Sequence, residues 1–149
     1  MKKGFIMEDV IKEIKNNPLF FNMSEDEIKF VLKCSNSTVK DLRDNYALFE
    51  KDQKVKKLGI VIDGILNLES RKYNGNRVIV TTLEKNDLFG EALIYASEGS
   101  SPYDLVSSGN SKVLLIPYKI FSNMCFNNCS FHAQLIKNML TILSDKIVM

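Results

Sequence analysis

Histidine is nearly missing from this sequence: His132 is the one imidazole among 149 residues. Metal-dependent chemistry on a small β scaffold draws on several histidines, and this one lies on a C-terminal segment, which excludes that class. No serine–histidine pair and no paired carboxylates stand at a convincing spacing. The chain therefore reads as a protein that is not an enzyme. Cysteine is scarce and odd in number, with Cys34, Cys125 and Cys129 only. Three thiols without a secretory leader argue for free cysteines in a reducing compartment, and they are too few for a four-cysteine iron–sulfur cluster. Cys125, Cys129 and His132 would share one face if their stretch were helical. Three mixed ligands with no second cluster read instead as half-buried residues at a helix start, so no metal is expected.

Long apolar runs are absent too. None approaches the ~18 residues that a bilayer demands, so no membrane partner is expected. Lys2 and Lys3 open the chain, but Glu8 and Asp9 interrupt the run after them, which does not make a signal peptide. A cytoplasmic location is the simplest reading. The net charge of +2 is too small to argue for a nucleic-acid surface. The lysines between Lys51 and Lys57 read as a solvated loop. What remains is 45% hydrophobic and 26% charged, the balance of one folded domain with a core and an appended helix.

Along the chain the hydrophobic period changes twice. Val10, Ile11 and Ile14 recur at helical spacing, and Asn16-Asn17-Pro18 ends that helix. Ser24-Glu25-Asp26-Glu27 spells a capping box for a second helix carrying Ile28, Val31 and Leu32. From Ser37 alternation takes over. Strands are expected over Thr38 to Leu42, Tyr46 to Phe49, Leu58 to Ile62, Ile65 to Lys72, Arg77 to Leu83, Tyr103 to Ser107 and Lys112 to Pro117. Asp63-Gly64 and Ser108-Gly109-Asn110 are expected to be turns, and Asn74-Gly75 a type I′ hairpin with both central residues at positive φ. Such a succession indicates an antiparallel meander or a jelly-roll barrel. Leu88-Phe89 then ends a strand, Gly90 lets a ligand approach the backbone, and Glu91 precedes a brief helical turn from Ala92 to Tyr95. From Ser130 a wide apolar stripe returns at helical spacing. One edge of it is expected to pack at home while Leu135, Met139 and Ile142, with Leu143, face a second helix.

Asn17-Pro18-Leu19-Phe20, Ile62-Asp63-Gly64 and Asp87-Leu88-Phe89-Gly90-Glu91 occur here in a telling order. Val113-Leu114-Leu115-Ile116-Pro117 and Leu143-Ser144-Asp145-Lys146-Ile147 follow them. Nearly the whole chain resembles the effector domain of transcription regulators of the catabolite-activator and fumarate–nitrate-regulator (Crp/Fnr) superfamily. That resemblance implies a double-stranded β-helix (jelly-roll) barrel of the cyclic-nucleotide-binding type, N-terminal helices and a long C-terminal dimerisation helix. It divides the chain into residues 1–124, helices plus barrel, and 125–149, the start of the dimer helix.

The resemblance also places a phosphate-binding cassette over Phe89, Gly90, Glu91, Ala92, Ser100, Ser101 and Tyr103. In nucleotide-binding members the matching glycine and glutamate hold the phosphate and the ribose, and an arginine pairs with the phosphate. Here the arginine position falls at about Ser101, and no Arg or Lys stands between Lys85 and Lys112. A phosphate there loses charge-assisted bonds of roughly 1.5–3 kcal/mol each. Cyclic AMP is therefore expected to bind weakly or not at all, and no cofactor is assigned.

The expected function is effector sensing and dimerisation for a DNA-binding regulator. The homodimer forms through the last helix, the effector is an unidentified small molecule, and DNA is reached only through a helix-turn-helix domain that this chain lacks. The apolar tail at Met149 ends without a cap or a breaker, which favours a fragment. The alternative is a standalone ligand-binding module of the same fold with no DNA target.

Overall fold

The computed structural model describes residues 3–93, 96, 98–121 and 131–148. They form two compact units, one from residues 1–38 and 116–149, the other from residues 39–115. The first is helical. Its elements are α1 (Lys3–Ile14), a 3-10 turn at Pro18–Phe20, α2 (Glu25–Cys34), a second 3-10 turn at Tyr118–Phe121, and α3 (Phe131–Val148). The second carries strands β1 (Thr38–Leu42), β2 (Ala47–Phe49), β3 (Lys57–Arg71), β4 (Arg77–Leu83), β5 (Leu88–Phe89) and β6 (Asp104–Pro117), with Thr38 and the end of β6 counted in the helical unit.

The helical unit is built by local chemistry. The Asn17 side chain accepts from the amide of Leu19 at 2.9 Å, which caps the 3-10 turn while Pro18 fills its donor-free first position. The expected capping box is present. Ser24 Oγ accepts from the Glu27 amide at 3.2 Å, and Glu27 Oε1 accepts from the Ser24 amide at 2.8 Å. Helix α2 stops where Asn36 takes a φ of 60°, a left-handed conformation that asparagine tolerates. Ile14, Leu19, Phe20, Ile28 and Leu32 are fully buried. Phe30 of α2 meets Phe131 of α3 edge to face, with ring centroids 5.8 Å apart.

A polar group completes this core. Asn138 of α3 is buried, and its Nδ2 donates to the Leu19 carbonyl at 2.9 Å and to the Phe21 carbonyl at 2.8 Å. Its Oδ1 accepts from Gln134 Nε2 at 2.8 Å, so both ends of the amide are satisfied. One side chain thus ties the last helix to the turn near the start of the chain.

In the second unit the strand order is β1-β6-β3-β4, with β2 paired to β6 and β5 paired to β3. The β3–β4, β3–β5 and β2–β6 pairings are antiparallel. Two expected turns are not turns. Gly64 lies inside the unbroken 15-residue β3, and Gly109 lies inside the unbroken 14-residue β6. Their φ values of +89° and +76° bend each strand without ending it, which is what glycine does at a barrel corner. At Gly64 a Cβ would also stand 2.8 Å from the Asn110 carbonyl oxygen, so no other residue fits.

The hairpin between β3 and β4 also departs from expectation. Only Gly75, at +86°, has a positive φ there. The Gly75 amide donates to the Lys72 carbonyl at 3.0 Å, and the Lys72 amide to the Asn76 carbonyl at 2.8 Å. This is a three-residue loop closed by a left-handed glycine, and it needs one positive φ where a type I′ turn needs two.

Asn138→Ala removes both donors and leaves two backbone carbonyls short of a partner. Its unfolding free energy in urea is expected to fall by about 1–3 kcal/mol.

Candidate functional site

The cassette begins in a tight seat. Phe89 pairs with Gly59 across β5 and β3, and its ring takes the place of the side chain that Gly59 lacks. A Cβ on Gly59 would lie 2.1 Å from Phe89 Cζ. The seat is locked in register by the Val61 amide donating to the Asp87 carbonyl at 3.0 Å and the Asn86 amide donating to the Val61 carbonyl at 2.7 Å. Gly90 follows with a φ of +81°, which turns the chain out of the strand. Glu91 is buried and opens a 3-10 turn at Glu91–Leu93, with Ala92 exposed on it. Ile94 and Tyr95, which the expected helical turn included, lie outside the described residues.

The far side of the cassette is zipped to the loop before β3. The Val55 amide donates to the Gly99 carbonyl at 3.0 Å, Lys54 and Ser100 form an antiparallel bridge, and the Ser101 amide donates to the Gln53 carbonyl at 3.0 Å. The Asp52 amide returns a bond to the Ser101 carbonyl at 2.7 Å. Ser101 is buried, and its hydroxyl is committed locally. Oγ donates to the Tyr103 carbonyl at 2.7 Å and accepts from the Tyr103 amide at 3.1 Å. Ser100 and Tyr103 are half-buried beside it.

Three residues on, Asp104 is 0% exposed. Arg71 grips it with two bonds, Nε to Oδ2 at 2.9 Å and Nη2 to Oδ1 at 3.0 Å. The Lys51 amide adds a third bond to Oδ1 at 2.7 Å, and Arg77 Nη2 stands 3.7 Å from Oδ2. Burial by itself raises the Asp104 pKa. The Arg71 bonds, the Lys51 amide and the charge of Arg77 outweigh it and hold the carboxyl below its usual value. Arg71 also reaches Glu50 Oε1 at 3.2 Å. The Arg71 guanidinium is therefore spent on two carboxylates.

The structure thus brings Phe89, Gly90 and Glu91 together in one corner, and zips Ser100, Ser101 and Tyr103 into the strand leading to Asp104. The Arg71–Asp104–Arg77 cluster was missed by the sequence reading, although a signal existed. Arg71 and Arg77 close the two arms of one hairpin and sit opposite each other in register. Two like charges in that position repel unless a carboxylate is set between them.

On α3 the apolar positions divide differently from expectation. Leu135 and Met139 are turned inward, 1% and 4% exposed, so they are filled by their own chain. Ile142 and Leu143 are half-buried, while Leu140 and Ile147 stand 60% and 86% exposed, with Ile136 also open. The apolar positions left open or half-buried along one edge are Ile136, Leu140, Leu143 and Ile147, spaced 4-3-4. The reason is the Asn138 tie, which rotates the Leu135–Met139 edge toward the 17–21 turn. Cys125 and Cys129 lie outside the described residues, and with them the three-ligand constellation that included His132. Among the described residues no helix is long and apolar enough to cross a membrane.

Comparison with known proteins places this geometry. The sequence matches the Cyclic nucleotide-binding domain family over residues 39–128. No curated protein matches it. Among solved structures it is similar to the N-terminal domain of a transcriptional regulator from Streptomyces coelicolor A3(2), with TM-score 0.74 and 16% identity over 90% of this chain and 91% of that one. The sensor domain of the transcriptional regulator DNR from Pseudomonas aeruginosa gives TM-score 0.74 and 14% identity over 99% and 92%. The Catabolite Activator Protein of Thermus thermophilus gives 0.68 and 18% over 88% of this chain, which spans 58% of that protein. The fold is accordingly a mainly β, antiparallel, jelly-roll-like domain with flanking helices, and its structural neighbours include N-terminal domains of Crp/Fnr-type regulators.

Because the Asp104 pKa is lowered in the folded state, its ion pair stabilises the protein fully above the ordinary carboxylate value. That contribution is lost as pH falls through the lower folded value. Urea melts from pH 7 down to pH 2 should show wild type losing stability below about pH 4. Asp104→Asn, less stable at neutral pH, should lose markedly less over the same interval.

Proposed function

The chain belongs to the cyclic nucleotide-binding domain family, and from that membership we propose that it is the effector-sensing and dimerisation part of a Crp/Fnr-type transcription regulator that does not answer to cyclic AMP. The observation that carries the reading is the closed cassette. At the position where nucleotide-binding relatives place an arginine, Ser101 has its hydroxyl bound to Tyr103, and the Arg71 guanidinium is held by Asp104, three residues on. A cyclic phosphate entering beside Gly90 and Glu91 would shed water without gaining the arginine that nucleotide-binding relatives supply. The loss of two charge-assisted bonds corresponds to ~100-fold or more in affinity.

Under this reading Phe89, Gly90, Glu91, Ala92, Ser100, Ser101 and Tyr103 keep the family's corner as a folding element, and the effector is a different small molecule. Signal output runs through the chain itself. Strand β6 starts at Asp104 beside the cassette and ends at Pro117, inside the helical unit that carries α3. An effector acts on a twin only if it binds one arrangement of these elements better than the other. DNA would be read by a domain outside this chain, and residues 125–149 would begin the helix that leads to it. The structural neighbours titled as transcriptional regulators support that placement.

Calorimetry with cyclic AMP and cyclic GMP should give no isotherm at micromolar ligand; a clear one would overturn the reading of the cassette. Sedimentation should give a dimer, and Leu140→Glu should convert it to a monomer. Leu135→Ala should instead lower stability by about 2–4 kcal/mol, because its side chain is core and not seam. A Leu140→Glu chain that remains fully dimeric would remove the proposed edge.

A further inference from the structure

A hollow of about 250 Å³ lies on the sheet unit, lined in part by Gln53 and Val55 of the loop zipped to the cassette, and of the cassette residues only Phe89 lines it. Its apolar walls are Phe49, Phe89, Val55 and Leu115, all buried, with half-buried Leu48. Its remaining lining is Lys40, Lys56, Lys57 and Gln53. Among the described residues no carboxylate lines it, although the chain carries 18 acidic residues. Among the described residues none of these three lysines is ion-paired to an acid.

Two contacts sharpen the pattern. Gln53 accepts from the Glu50 amide with its Oε1 at 3.0 Å, which leaves its NH2 group as the end free to donate. Lys40 Nζ donates to the Tyr46 hydroxyl at 3.0 Å and sits 4.9 Å from the centre of that ring. Tyr46 is neutral, so it fixes the position of this ammonium without cancelling its charge. The side chains around the hollow therefore offer donors and positive charge over an apolar floor. A fully hydrated inorganic anion gains nothing from such a floor, and a neutral apolar molecule gains nothing from the three lysines.

From this complementarity we infer that the hollow binds a small amphipathic monocarboxylate, its carboxylate among Lys40, Lys56, Lys57 and Gln53 and its hydrocarbon body on Phe49, Phe89, Val55 and Leu115. The volume accommodates about eight water- or methylene-sized groups. Two larger hollows among the described residues lack this match. One of about 850 Å³ mixes Lys15 and Lys137 with Asp145 and with asparagines already bonded to backbone. One of about 710 Å³ at the hairpin tip has its Arg71 neutralised by Asp104 and Glu50. Phe89 gives the site a route to the cassette, because the ring wedged against Gly59 directly precedes Gly90. The site stands independently of whether a cyclic nucleotide binds.

The test is a titration of the intact 149-residue chain with sodium octanoate, followed by amide chemical shifts. 1-Octanol serves as the neutral match and sodium phosphate as the anion without an apolar body. Octanoate should saturate and move the amides of Gln53, Val55 and Phe89. Octanol should bind at least about tenfold more weakly, and phosphate should give no saturable shift. Lys56→Gln with Lys57→Gln should weaken octanoate about tenfold while leaving octanol and the melting temperature unchanged. Leu115→Trp should fill the hollow and abolish binding, and the exposed lysine pair keeps the test decisive if that variant does not fold. Equal affinity for octanoate and octanol, shifts centred on Gly90 and Ser101, unchanged octanoate binding in the lysine variant, or no saturable binding at all would each overturn the assignment.

Discussion

One carboxylate closed off from water sets the terms for this corner of the molecule. Asp104 joins the backbone at Lys51, the two ends of the β3–β4 hairpin and the strand that leaves the cassette. Arg71 and Arg77 face each other across that hairpin, and their repulsion is tolerable only because a negative group lies between them. A buried acid is costly unless its charge is answered by well-aligned donors, and here three bonds answer it. The corner is electrically complete from the chain's own residues. An anion arriving there meets no unspent guanidinium.

The cassette relies equally on shape. Gly59 exists to make room for a ring, and the ring fixes where Gly90 turns. The buried Glu91 and the hydroxyl of Ser101 then fall into an interior frame that resembles a ligand site in outline. The corner is built on a glycine at positive φ and a seated aromatic, and no Arg or Lys stands in the sequence between Lys85 and Lys112.

Sequence reasoning reached the elements whose causes are local. The capping box at Ser24, the helix end at Asn16-Asn17-Pro18, the helical stripe after Ser130 and the Phe89-Gly90-Glu91 corner are each written in a few adjacent residues. It failed where the cause is remote. Gly64 and Gly109 look like turn residues, and only their neighbours across the sheet reveal them as bends in continuous strands. Asn138 gave no signal, because its partners are carbonyls more than a hundred positions away. The face of α3 was misjudged for the same reason: a stripe too wide for one contact does not say which edge is used at home. The Asp104 cluster was within reach, had the opposed arginines been read as a charge in need of an answer.

The strand order has a consequence for how the chain becomes structured. Among the described residues strands β1 and β3 are joined through β6, more than thirty residues after β3 in the chain. The helical unit likewise needs α3, since it is assembled from residues 1–38 and 116–149. Long separations between partners slow folding, because loop entropy is lost before contacts compensate it. A nascent chain stopped short of residue 104 would carry β3 and β4 with the β6 flank of β3 unsatisfied, beside Val78, Ile79 and Val80, which are open to water even in the folded structure. The sheet therefore closes only once residues 104–117 are available to join β1 to β3.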